Sequence, residues 1–192
     1  MSGLGFYFDE TRCIGCRTCQ IACKDKNRIM EPGITFRTVR SYESGSFPKP
    51  GVYHLATTCN HCEDPACVAI CPVGAMYKAA DGTVQHDDEA CIGCQACVSS
   101  CPYEVPKYFE DDGIVRKCDA CIAHRQHGRN PVCVDACVMR ALDFGDLDEL
   151  AEKYGYDLVS ELPAWPDGGT TPHTIVKAEE YALKDEFTRI VL

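Results

Sequence analysis

The chain is short of positive charge and of long apolar runs, and each shortage excludes something. Nineteen lysines and arginines face 29 acidic residues in 192 positions, giving a formal net charge of −10. Phosphate backbones select basic surfaces, so no nucleic-acid partner is expected. No stretch approaches the ~18 consecutive apolar residues of a membrane span. The longest uncharged run, Ala90 to Tyr103, is crowded with cysteines. The opening Met1-Ser-Gly-Leu-Gly-Phe6 has no basic segment and no apolar stretch, so neither a signal peptide nor a direct membrane span is expected. No nucleophile–base pair, glycine-rich phosphate loop or open metal site reads as catalysis. The chain alone is expected to do no bond-making chemistry.

Cysteine is the excess, with sixteen in the chain. A disulfide framework does not need repeated C-x2-C pairs. Structural zinc uses pairs of pairs rather than four-cysteine runs ending in Cys-Pro, and a colourless, iron-free preparation would favour it. Cys91-x2-Cys94-x2-Cys97-x3-Cys101-Pro102 instead matches the spacing that holds iron–sulfur cubanes, with the fourth thiolate reaching a neighbouring cluster. Cys59-x2-Cys62-x4-Cys67-x3-Cys71-Pro72 precedes it, and the two make a two-cluster module.

The flanks repeat these units. Cys13-x2-Cys16-x2-Cys19-x3-Cys23 shares Cys-Ile-Gly-Cys and an acidic residue four positions upstream (Asp9, Asp87) with the third motif. Gly15 and Gly93 stand where the backbone must pass close by, with freedom to take positive φ. Cys118-x2-Cys121-x11-Cys133-x3-Cys137 is the second motif with seven residues inserted, because Asn130-Pro-Val-Cys-Val matches Asp64-Pro-Ala-Cys-Val. Asp64 and Asn130 read as helix caps followed by proline at the first helical position. The order is thus A, B, A, B, an internal repeat with pseudo-two-fold logic. It pairs the middle units with each other and the outer units across them. Four [4Fe-4S] clusters follow: Cys13, Cys16, Cys19 and Cys137 on the first; Cys23, Cys118, Cys121 and Cys133 on the second. Cys59, Cys62, Cys67 and Cys101 would hold the third, and Cys71, Cys91, Cys94 and Cys97 the fourth.

The expected fold is α+β: two interleaved bacterial-type ferredoxin modules with an irregular C-terminal arm. Residues 1–30 and 112–155 form the outer module, 59–111 the middle one, 31–58 a strand and loop insert, and 156–192 the arm. Phe6 to Phe8, Ile34 to Tyr42 and Gly51 to Thr57 read as strands. Asp81-Gly82 closes a hairpin between Met76–Lys78 and Thr83–Gln85. Asp146 caps a helix with Glu149 as its capping-box partner, an apolar stripe of Leu147, Leu150, Ala151 and Tyr154, and Gly155 as its stop.

With Cys-Asn-His-Cys-Glu-Asp-Pro-Ala-Cys at 59–67 and Arg140-Ala-Leu-Asp-Phe-Gly145, the chain resembles the iron–sulfur (beta) subunits of the dimethyl sulfoxide reductase family from about Phe6 to Tyr154. The resemblance implies an electron-transfer subunit of an anaerobic reductase. It would relay electrons between a membrane quinol-oxidising subunit and a catalytic subunit that carries molybdopterin. The outer pair of clusters would face the catalytic subunit and the middle pair the membrane side. Localisation would be peripheral at the cytoplasmic membrane, with co-export by a twin-arginine partner one route across it. Nitrate-reductase-like members replace the second cysteine of the third motif by tryptophan; Cys94 stands here, so four four-iron clusters are expected. Lys24 and Val138, not proline, follow Cys23 and Cys137, a departure that alters potentials without removing a ligand. The alternative is a free soluble polyferredoxin carrier, which would lack a large apolar docking surface.

Outside the cysteines, two basic groups have either a solvated-loop reading or a redox-tuning and docking one: Lys24, Lys26, Arg28 and Arg37, and His124, Arg125, His127 and Arg129. His61 reads as a hydrogen-bonded loop residue, Tyr103, Tyr108 and Phe109 as shields of a cluster, and Trp165 as an anchor on a partner or on its own domain.

Overall fold

The computed structural model describes residues 3–191. The reading of a leaderless start falls partly on Met1 and Ser2, which with Leu192 lie outside the described residues. Strand β1 (Leu4–Asp9) is built from an aromatic run, and Phe6, Tyr7 and Phe8 are all buried, so both faces of the strand are apolar. That suits the centre of a sheet. It lies between β8 (Leu142–Asp146), antiparallel, and β9 (Thr174–Lys177), parallel. Phe6 stands opposite Phe144 in the register, with the rings edge-on at 4.8 Å. Helix α6 (Leu147–Tyr154) follows β8 directly. The Asp146 carboxylate accepts from the Asp148 and Glu149 N–H groups, and Gly155 ends the helix. Leu147 and Leu150 pack with Tyr7 and Ile175, and Tyr154 stacks on Tyr7 at 3.8 Å.

A second sheet pairs β2 (Thr38–Ser44) with β3 (Gly51–Thr57) and adds β10 (Phe187–Ile190) to the free side of β2. The expected strand from Ile34 begins four residues later. Pro32-Gly33, with Gly33 at φ +80°, spends the preceding residues on a turn. The expectation of an irregular arm is corrected: it supplies β9 and β10 and a 3-10 turn at Glu180–Leu183. Four-residue strands carry too little periodicity to read, and the partners that order them are more than 130 residues away.

Two ribbons complete the β structure: β4 (Met76–Lys78) with β5 (Val84–His86), and β6 (Lys107–Phe109) with β7 (Ile114–Arg116). Between them run short helices: α1 (Thr18–Lys26), α2 (Ala66–Ala69), α3 (Ala96–Ser100), α4 (Ile122–Arg125) and α5 (Val132–Asp135). The seven-residue insertion of the fourth motif is thus largely α4. The expected Asx caps do not form. Pro65 and Pro131 are themselves the cap residues, and their carbonyls accept the first helical bonds. Asp64 instead accepts from the Thr171 hydroxyl at 3.3 Å, and Asn130 donates to Asp135 at 2.9 Å. Helix α1 packs on α5, and α2 on α3.

Candidate iron–sulfur sites

The repeat seen in the letters recurs in the backbone. Gly15 and Gly93 take φ +66° and +67°, and Arg17 and Gln95 take +61° and +60° just before α1 and α3. In the other unit His61 (+46°) matches Ala120 (+51°), and Gly74 (+68°) matches Arg140 (+52°). A left-handed non-glycine residue costs ~1–2 kcal/mol. Paid at equivalent positions in sequence-distant loops, that cost marks loops shaped around something.

None of the sixteen cysteines is paired in a disulfide. Cys13, Cys16, Cys19 and Cys137 line one cavity, with Ile14, Arg17 and Met139 at its edge. Cys59, Cys62, Cys67 and Cys101 line another, under Pro102, Tyr103 and Thr170. Cys23 has Cys133 and Cys121 as electrostatic neighbours, and Cys118 has Cys23. Cys97 has Cys91, Cys71 and Cys94. The groups are also contiguous: Cys19 senses Cys133, and Cys118 senses Cys59. Among the described residues no three His, Cys, Asp or Glu side chains converge as a single metal ion requires. Zinc would need its sulfurs ~2.3 Å from one centre. Four sulfurs around one cavity, without imidazole or carboxylate, fit a larger all-thiolate group, the donor set of a [4Fe-4S] cubane.

Electrostatics agree with sites built for a cationic metal group. Burial pushes the Cys23, Cys62 and Cys67 thiols up to about 12 and Cys13 and Cys97 up to about 11, and it raises Cys118 too. Metal ligation needs the thiolate, so iron would supply the charge that the cavity withholds. Some donors are already in place. The Gly15 N–H lowers Cys13, and Ala120 and Ala141 N–H groups reach the sulfurs of Cys118 (3.4 Å) and Cys137 (3.2 Å). The Thr18 hydroxyl, 3.3 Å away, and its N–H hold exposed Cys16 low. At Cys71 burial raises the thiol, but N–H groups from Val73 to Met76 outweigh it.

The basic groups resolve into distinct tasks. Lys24 staples the Glu31 and Ile34 carbonyls at 3.0 and 2.7 Å, and Arg125 closes on Asp81 and the Ala120 carbonyl, both at 2.8 Å. Lys26 pairs with Asp119 at 3.4 Å and lowers Cys121 and Cys23. Arg37 is fully buried beside Cys133, Cys19, Cys118 and Cys23. His61 accepts the Val84 N–H at 3.0 Å through Nδ1, and burial keeps it neutral. Tyr103 closes one cavity, Tyr108 packs among Cys67, Cys71, Cys91 and Cys97, and Phe109 meets Phe36 beside Cys118. Trp165 is buried against its own domain, 5.6 Å from the Tyr103 ring. Lys117 went unnoticed in the sequence. Buried, it donates to the Val84 and Cys118 carbonyls and lowers Cys67. Its only sequence signal is its place beside Cys118.

Residues 51–147 match the family described as a 4Fe-4S dicluster domain, and residues 10–26 a 4Fe-4S binding domain. The sequence is 43% identical over 191 residues to the B subunit of the anaerobic dimethyl sulfoxide reductase of Haemophilus influenzae, covering 95% of this protein and 92% of that one. It is 44% identical over 181 residues to the B subunit of the Escherichia coli K12 reductase, covering 90% and 87%. It is 38% identical over 147 residues to the protein NrfC of the same organism, covering 76% and 66%.

Proposed function

This protein belongs to the family of anaerobic dimethyl sulfoxide reductase B subunits, an iron–sulfur electron-transfer subunit that is not catalytic by itself, and from there we propose how its residues carry the electrons. It holds four [4Fe-4S] clusters, on Cys13, Cys16, Cys19 and Cys137; on Cys23, Cys118, Cys121 and Cys133; on Cys59, Cys62, Cys67 and Cys101; and on Cys71, Cys91, Cys94 and Cys97. Two interleaved ferredoxin modules carry them in that order. Bound there, the clusters supply one-electron carriage.

The observation that carries this reading is the gathering of sulfurs from separate motifs: Cys137 shares a cavity with Cys13, Cys16 and Cys19, and Cys101 shares one with Cys59, Cys62 and Cys67. The protein's own part is to hold each set of thiolates, to direct backbone N–H groups at the sulfurs, and to exclude water with Tyr103, Tyr108 and Phe109.

The two ends of this series are the least covered. Cys16 and Cys94 are exposed. Ile14 and Val138 stand open beside the first set, and Ile92, Ile70 and Val73 beside the last. These apolar ends favour a subunit clamped between partners over a free carrier. One end meets a molybdopterin-bearing catalytic subunit, and the other a quinol-oxidising membrane anchor. No helix among the described residues is long and apolar enough to cross a membrane, which suits a peripheral subunit carried to its membrane face by those partners.

Anaerobically purified protein should contain about sixteen irons, four per cubane. Cys94→Ser should lose or convert one cluster, with the other three signals intact in the reduced electron paramagnetic resonance spectrum. A zinc-rich wild type, or an unchanged Cys94→Ser spectrum, would refute the assignment.

A further inference from the structure

Arg37 precedes β2 and is only 1% exposed. A guanidinium cannot shed its proton, so this is a permanent charge inside the molecule. Among the described residues it has no carboxylate partner. Nη1 donates to the Ala56 carbonyl at 3.0 Å, while Nε and Nη2 are buried without any partner. The guanidinium lies 4.8 Å over the Phe6 ring, in a cavity walled by Phe8, Leu55, Ala56 and Trp165. Such burial costs several kcal/mol per unpaired ion. The charges around it are sulfurs: Cys133, Cys19, Cys118 and Cys23, in decreasing influence. Three of them belong to the second proposed set and one to the first.

We propose that Arg37 is the internal counter-cation of the two outer clusters, holding the one on Cys23, Cys118, Cys121 and Cys133 at a raised reduction potential. The inference rests on the cluster assignment above. A cluster gains one negative charge on reduction, so a fixed cation beside it stabilises the reduced form more than the oxidised one. In a low-dielectric interior that preference is strong. The two unpartnered nitrogens, with three N–H groups between them, are then donors held ready for cluster or thiolate sulfur. Lys24 and Arg125 are held by carbonyls and a carboxylate, and Lys26, though it faces Cys23 and Cys121, has its charge paired with Asp119. The sequence grouped Arg37 with Lys24, Lys26 and Arg28, and its complete burial separates it from them.

The test is a redox titration of the purified native complex, followed by electron paramagnetic resonance, with Arg37→Gln and Arg37→Lys. Arg37→Gln should lower the potential of one outer cluster by about tenfold in its oxidised-to-reduced ratio at fixed poise, ~59 mV for one electron. Signals of the clusters on Cys59 and Cys71 should stay in place. Arg37→Lys should recover most of the shift. An unchanged titration of iron-replete Arg37→Gln overturns the proposal. So does an equal shift of all four clusters, or a shift in Arg37→Lys as large as in Arg37→Gln. If Arg37→Gln assembles with less iron, recovery of iron in Arg37→Lys supports the counter-cation role, and failure to recover it counts against that role. Wild-type protein without four separable signals would instead sink the cluster assignment itself.

Discussion

Glu10 shows what one residue contributes before any cluster is considered. It stands between β1 and Cys13 with its carboxyl buried; one oxygen accepts the Glu179 N–H at 3.2 Å and the other has no partner. Burial pushes its pKa up to about 8, against the pull of that N–H. The folded protein therefore holds this proton more tightly than the unfolded one does. Where the folded value exceeds the unfolded one, stability falls as pH rises between the two, here from about 4.5 to about 8, and the loss is complete above that. Glu10→Gln keeps an acceptor for Glu179 and removes the titration. Its thermal midpoint should fall less than the wild type's between about pH 5.5 and about pH 8.5. Equal slopes in the two proteins would clear this carboxyl of the effect. Nothing in the letters Asp9-Glu10-Thr11 announces a buried acid, because burial here is imposed by the distant arm at Glu179.

At the scale of elements, the cysteine-bearing loops proposed as ligand loops stand out in the sequence as repeated spacings, and their surroundings do not. Cysteine spacing is a local property fixed by the geometry of what it grips, so the kinship of the fourth motif to the second could be read across a seven-residue insertion. Gly74 and Arg140, equivalent in that alignment, both take positive φ, though only one of them is glycine. The Asp146 cap and Gly155 stop were legible for the same local reason. Strands β9 and β10 were not, because their partners β1 and β2 lie far away in sequence. Lys117 and Arg37 were not singled out, since burial of a cation is a tertiary fact. The two A-type loops now part company. Both glycines hold positive φ, so alanine strains each by ~1 kcal/mol or more. At Gly15 a Cβ would meet the His54 ring at 2.6 Å, whereas at Gly93 it would meet the Gly113 backbone carbonyl at 2.1 Å, in the turn between β6 and β7. A ring can turn aside more cheaply than a tight turn can move. Gly93→Ala should lower the thermal midpoint and iron content more than Gly15→Ala. The reverse ranking would show that the Gly113 turn yields easily.

Across the whole molecule, the C-terminal arm is a strap over one ligand loop. The Glu63 and Asp64 N–H groups donate to the Thr171 and Thr170 carbonyls at 2.9 and 3.1 Å, and the His173 N–H donates to the Asn60 carbonyl at 3.0 Å. The Tyr103 hydroxyl joins Asp167 and Thr170, both at 3.1 Å. Thr170 lines the cavity shared by Cys59, Cys62, Cys67 and Cys101, and its hydroxyl bonds the Cys62 sulfur. From there the backbone runs into β9 beside β1, so one segment ties that loop to the central sheet. Loss of the strap would let water and oxygen reach this site while the exposed Cys16 and Cys94 sites are already reachable. Gly168 is the place to test it, because a Cβ there would sit 2.3 Å from the Pro102 ring. Proline cannot rotate away, so Gly168→Ala must lift the strap locally. If lifting makes opening ~1.4 kcal/mol easier, the open population rises about tenfold. Iron release to a chelator should then gain a phase about tenfold faster, amounting to one cluster's worth, with the total iron at time zero unchanged. A uniform acceleration of all the iron would mean that the strap holds the fold as a whole. An unaltered rate would mean that the loop closes over its cavity without help.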